Sequence, residues 1–167
     1  MTRARDVSTP TALVLLASQT IGTSVSSVTV TNVFSATYSN YKIFLSGSGV
    51  CSSPANLALK LGSSTTGYYL AGYRIEYASS AAVNTTDNGA SFTTLGYGNT
   101  NILSLSCELI DAGVASFTKL VNGSRVATDA GTSSAGIHQV ATAYTDFTIT
   151  PSAGTITGGT IKVYGYK

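Results

Sequence analysis

The chain has 167 residues, 10% of them charged, and a formal net charge of +2; an average soluble domain carries roughly 25% charged residues. Its 43% hydrophobic share is ordinary, which excludes a disordered chain. The basic residues are scattered rather than clustered, against a nucleic-acid footprint, and no apolar run approaches the ~20 residues of a membrane span. A chain of this size buries a core without a metal or disulfide staple. Few charges also mean weak resistance to self-association, which suits a protein that works inside an assembly.

Residues 1–11 read as a short extended arm with Arg3, Arg5, Asp6 and Pro10. The apolar run Ala12 to Ala17 is too short for the ~7–15-residue core of a signal peptide, and Asp6 and Pro10 sit in its flank. From residue 12 to 167 the two-residue alternation of half-buried strands recurs. Val28 and Val30 form one such pair. Tyr41, Ile43 and Leu45 alternate with Lys42, Phe44 and Ser46. Leu57, Leu59 and Leu61 point one way, Ala58 and Lys60 the other. Tyr69, Ala71, Tyr73, Ile75 and Tyr77 alternate with Leu70, Gly72, Arg74 and Glu76. The polar, small stretch Ala78 to Ala90 reads as an exposed loop. Leu103, Leu105, Cys107 and Leu109 alternate with Ser104, Ser106 and Glu108. Asn122-Gly123 predicts a two-residue hairpin turn joining Ser116–Val121 to Ser124–Thr128, because both residues tolerate positive φ. Phe147 with Ile149, and Ile161 with Val163, complete the pattern. Gly47-Ser48-Gly49, Asp87-Asn88-Gly89 and Gly158-Gly159 mark further turns. Roughly ten short strands and no helical period predict an all-β domain, a single antiparallel β-sandwich of jelly-roll type.

Chemistry is hard to find. His138 is the only histidine, no nucleophile elbow accompanies it, and a polar strand or loop histidine is its plainer reading. Cys51 and Cys107 lack metal-ligand spacing; two buried small hydrophobes is the plainer reading, and one bridge between strands stays open. Asp87 and Asn88 lack the spacing of a calcium loop. Glu76, Glu108, Asp111, Asp129 and Asp146 could supply paired carboxylates for glycoside hydrolysis, but seven acids, mostly at strand ends or turns, make a weak case. Gly154 to Gly159 matches no phosphate-cradling motif. The expectation is a protein without catalytic residues, cofactor or metal.

Tyrosine is the enriched aromatic, with ten residues against no tryptophan. Tyr68, Tyr69, Tyr73 and Tyr77 cluster, as do Tyr164 and Tyr166. Tyrosine suits a ring half apolar and half wet. Tyr68, Tyr69, Tyr73, Tyr164 and Tyr166 are therefore candidates for a protein interface, or, less strongly, a sugar-binding surface. The plain alternative is that they cap the core near sheet edges.

Several segments carry a resemblance. Thr2-Arg3-Ala4-Arg5-Asp6-Val7 resembles the openings of many phage virion structural and fibre proteins. The run from Gly154 to Lys167, with Gly158-Gly159-Thr160-Ile161-Lys162-Val163-Tyr164-Gly165, resembles the end of a β-rich domain common in phage tail fibres and virion surface proteins. Leu15 to Gly22 and Phe34 to Leu45 resemble that domain's first strands. The familiar form of the latter is Ile-Pro-x-Thr-Tyr-x-x-Leu; here no proline precedes Thr37, and Tyr41 takes the leucine's place. The resemblance implies a virion surface protein; a homo-oligomer is expected alongside it. One domain without a coiled-coil shaft points to a capsid decoration or cement protein bound to the major capsid protein or other virion proteins. Arg3, Arg5, Asp6 and Val7 would then be its docking arm; a solvated terminus is the plain reading of the same residues. The alternative is a tail-fibre or receptor-binding component that recognises a host surface glycan, and the least favoured is a glycan-cleaving enzyme.

Overall fold

The computed structural model describes residues 12–78 and 81–167, so the arm residues Arg3, Arg5, Asp6 and Val7 lie outside the described part. The described residues form fourteen strands and no helix. In chain order these are β1 (Val14–Thr20), β2 (Val28–Val30), β3 (Asn40–Ser46), β4 (Val50–Cys51), β5 (Ala55–Leu61), β6 (Tyr68–Glu76) and β7 (Ala81–Gly89). They continue as β8 (Phe92–Gly98), β9 (Leu103–Ile110), β10 (Thr118–Val126), β11 (Ala130–His138), β12 (Phe147–Pro151), β13 (Ile156–Thr157) and β14 (Thr160–Tyr166). The apolar run at the start of the domain is thus strand β1, paired with β14.

All pairings are antiparallel, and β9 organises them. Its C-terminal part pairs with β3 on one side and β10 on the other. Its first residues, Leu103–Leu105, pair instead with β8. One run therefore reads β1-β14-β3-β9-β10-β11-β6-β7, and a second, β2-β12-β5-β8, departs from the start of β9. The second run lies over the inner side of the first, giving a sandwich-like fold. Tyr68 on β6 meets Phe92 on β8 edge-to-face at 5.0 Å between ring centroids. Arg125 on β10 reaches across to Asn56 on β5 and lies 5.4 Å from the Tyr97 ring on β8. This strand order does not establish jelly-roll connectivity.

The alternating residues explain the layering. Leu57, Leu59 and Leu61 are fully buried, as are Tyr41, Ile43, Phe147, Ile149, Ile161 and Val163, while Leu103, Leu105, Cys107 and Leu109 line β9's inner side. Burying each large apolar side chain contributes roughly 1.5–3 kcal/mol.

Two local expectations are corrected. Asn122-Gly123 is not a hairpin turn but a bulge inside β10, where the register shifts toward both β9 and β11. Asn122 takes the left-handed φ of +51° that the dipeptide tolerates, but uses it to kink a strand rather than reverse it. The reversal comes later, where the Ala127 amide bonds the Ala130 carbonyl. Of the stretch Ala78 to Ala90, the described residues 81–90 are largely exposed as expected, yet most of them form strand β7, paired with β6 from Ala81 to Gly89. Its small and polar side chains hid it, because an edge strand has no core to bury against.

Candidate functional site

The outer side of the eight-strand run divides into two halves. On β14, β3 and β9 it is charged. Lys42 pairs with Glu108 at 3.1 Å, and Glu108 accepts further hydrogen bonds from Asn122 and Tyr166, each at 3.1 Å. Partial burial alone would raise the Glu108 carboxyl's pKa. The bonds from Lys42, Asn122 and Tyr166 outweigh that and hold it below the usual glutamate value.

On β10, β11, β6 and β7 the outer side changes character. Register aligns Tyr69 with Ile137, Ala71 with Ala135, Tyr73 with Ser133 and Ile75 with Gly131. On β6's other flank, Tyr73 faces Val83 and Ala71 faces Thr85. Beyond β11, Ser124 and Val126 extend the same rows. None of these side chains is charged. Tyr73 is 64% exposed, Ile75 61% and Val83 70%, with Tyr77 and Val126 also open. Lys119, paired with Asp111, bounds the patch at one end. Arg74, though on β6, alternates to the other side, where Glu76 and Asp129 neutralise it.

The relief of this patch follows from side-chain size. β6 and the residue after it raise a ridge of Tyr73, Ile75 and Tyr77. Beside it, β11 offers only Gly131, Ser133 and Ala135, which leaves a groove along the strand. Two hollows of about 430 and 390 Å³ lie there. Val121, Asn122 and Val83 complete the walls of the first, and Tyr77 and Thr132 those of the second.

The sequence-derived tyrosines separate accordingly. Tyr68 is not an interface residue: it is fully buried. Its hydroxyl accepts from the Leu61 amide at 2.8 Å, its ring stacks on His138 at 4.0 Å, and burial pushes its pKa up to about 12. Tyr69 and Tyr73 lie on the largely uncharged half. Tyr164, edge-on to Phe44 at 6.2 Å, and Tyr166, bonded to Glu108, lie on the charged half, five strand spacings or roughly 24 Å away. Sequence reading missed Val83 and the small residues of β11. Both faces of β11 carry small side chains, so no alternation marked its outer side.

His138 is fully buried, with Nε2 2.7 Å from the Tyr144 hydroxyl, while Nδ1 has no hydrogen-bond partner among the described residues. Burial lowers its pKa, and the nearby Gly67 carbonyl opposes this more weakly. Tyr144 is the imidazole's one side-chain hydrogen-bond partner among the described residues, and its ring also stacks on Tyr68. Cys51 and Cys107 are free, buried thiols; burial first, then the Glu108 charge, pushes Cys107 up to about 12. Among the described residues no three His, Cys, Asp or Glu side chains are grouped to hold a metal. No family model, curated protein or solved structure matches this chain.

Proposed function

We propose that this protein is a non-enzymatic structural module of a phage particle, a decoration or cement protein on the outside of the head. The observation that carries the reading is the largely uncharged outer half of β10-β11-β6-β7. It is a broad, ridged sheet face with exposed Tyr73, Ile75, Tyr77 and Val83, with charge only toward one end at Lys119 and Asp87, the kind of surface that marks an interface rather than a reaction cleft. The resemblance of Thr2–Val7 and Gly154–Lys167 to virion surface proteins supplies the setting. In this reading the arm, with Arg3, Arg5, Asp6 and Val7, supplies a hold on the shell. The mechanism is linkage: a protein that binds the assembled shell but not its separated subunits stabilises the shell by mass action.

Heads stripped of this protein should release DNA at a lower temperature than complete heads, and adding the purified protein back should restore the difference. Equal heat stability of stripped and complete heads contradicts a cementing role.

One observation favours a second reading, a receptor-binding component for a host glycan: Tyr73, Asn122 and Ser133 line one groove, an aromatic face beside hydrogen-bonding groups. Tyr73→Ala would then lower adsorption to host cells while particles stay intact. Unchanged adsorption removes that reading.

A further inference from the structure

We propose that the occupant of the largely uncharged face is a second copy of this chain, packed sheet against sheet about a two-fold axis parallel to the strands and midway between β6 and β11. The proposal rests on the reading of this face as an interface and names its partner.

Three observations point to self-association. The first is shape. The ridge of Tyr73 and Ile75 on β6, continued by Tyr77 just past its end, runs beside the groove over Gly131, Ser133 and Ala135 on β11. A two-fold axis between these strands places each copy's ridge over the other's groove. Tyr73 of one copy then lies on Ser133 of the other. An isologous interface requires such self-complementarity.

The second is charge. A patch that meets its own copy meets its own charges, and like charges close together cost several kcal/mol. This half of the outer side carries charge only toward one end, at Lys119 on β10, already paired with Asp111, and at Asp87 on β7, and none beside Tyr73, Ile75 and Ser133, whereas the neighbouring half gathers Lys42, Glu108 and Lys162 on β3, β9 and β14. A partner recognised by charge would use the second half; the first suits a neutral one.

The third is area. β6, β7, β10 and β11 are each nine residues long. At ~3.3 Å per residue and ~4.8 Å between strands, the face spans roughly 19 by 30 Å. Covering it on both copies buries about 1,100 Å², which clears the ~1,000 Å² of a specific interface. Facing sheets pack about 10 Å apart with strands within about 30° of each other, a spacing these side chains can fill.

Sedimentation of the purified protein tests the proposal. The expected species at micromolar concentration has twice the 17.0 kDa chain mass. Tyr73→Lys and Ser133→Glu, both at exposed positions that leave the core intact, should each weaken the dimer at least tenfold. Mixing the two variants should recover it, because each mixed pair sets one lysine opposite one glutamate. Thr150→Lys, exposed on β12 of the other layer, should leave the dimer unchanged. A monomer at every concentration, a trimer, or a dimer indifferent to Tyr73→Lys overturns the proposal. Head binding separates it from the functional reading. If Tyr73→Lys is monomeric yet binds heads, the dimer stands and the arm suffices for docking. If the wild-type dimer forms but binds no heads, the decoration reading fails while the dimer stands.

Discussion

Tyr68 and Tyr69 are adjacent and chemically identical, yet one closes the core and the other borders the surface patch. Strand parity separates them. Tyr68 shares the inner side of β6 with Leu70, and its hydroxyl finds the Leu61 backbone, while Tyr69 points out beside Ile137. Sequence shows that neighbours face opposite ways but not which way is in, and a continuous run of tyrosines removes the usual polar cue. Tyr68→Phe should cost about 1–3 kcal/mol by leaving the buried Leu61 amide without that acceptor, read as a lowered denaturation midpoint; an unchanged midpoint would show the bond to be dispensable. The same inner cluster makes stability depend on pH. Burial lowers the His138 pKa below its ordinary 6.5, so the unfolded chain binds the proton more readily. The stabilisation is therefore present above about pH 6.5 and is lost as pH falls through and below that value toward the folded pKa. His138→Phe should flatten the part of the pH–stability curve between pH 7 and 5 that wild type shows; two curves of equal slope would mean the imidazole carries no linkage.

Strand β10 shows how a correct local signal can carry the wrong structural meaning. Asn122-Gly123 marks a left-handed backbone position, but such positions occur in bulges as well as in turns, and only the pairing with β9 and β11 decides between them. At Gly123 an added Cβ would collide with the Ser134 hydroxyl and approach Leu120 at 3.2 Å. Gly123→Ala should thus destabilise by about 1–3 kcal/mol. Both variants at Asn122 lose the exposed bond to Glu108, but Asn122→Ala should cost about 1 kcal/mol more than Asn122→Gly, since alanine resists positive φ. Chemical denaturation would check the ordering; equal costs for alanine and glycine at 122 would contradict the bulge. Strand β7 was hidden for another reason. Its residues Ala81 to Asn88 have little to bury, and their partner β6 is fixed by long-range pairing that no local pattern records. By contrast, the strands that fill the core, β3, β5, β9, β12 and β14, were legible residue by residue, because Leu57, Leu59 and Leu61 or Ile161 and Val163 can alternate only if one face is dry.

At the scale of the molecule, low charge density acquires a location. The scarcity of Lys, Arg, Asp and Glu predicted a protein at ease in an assembly, and the fold concentrates that neutrality on one half of one sheet. The tyrosines reported the surface only in part: Tyr73 lies on it, Tyr164 and Tyr166 on the charged half, and Tyr68 in the core. What sequence could not show is the groove, which exists only because β11's Gly131, Ser133 and Ala135 pair beside β6's Tyr73 and Ile75. The proposed role follows from a neutral, ridged face that repeats across copies on a shell. Quantitative mass spectrometry of purified particles tests it most directly, by counting this chain against the major capsid protein. The account predicts a ratio near one or a simple fraction of it, as for a protein bound throughout the head lattice. A count matching only a handful of tail positions would contradict it and assign the face and its tyrosines to adsorption.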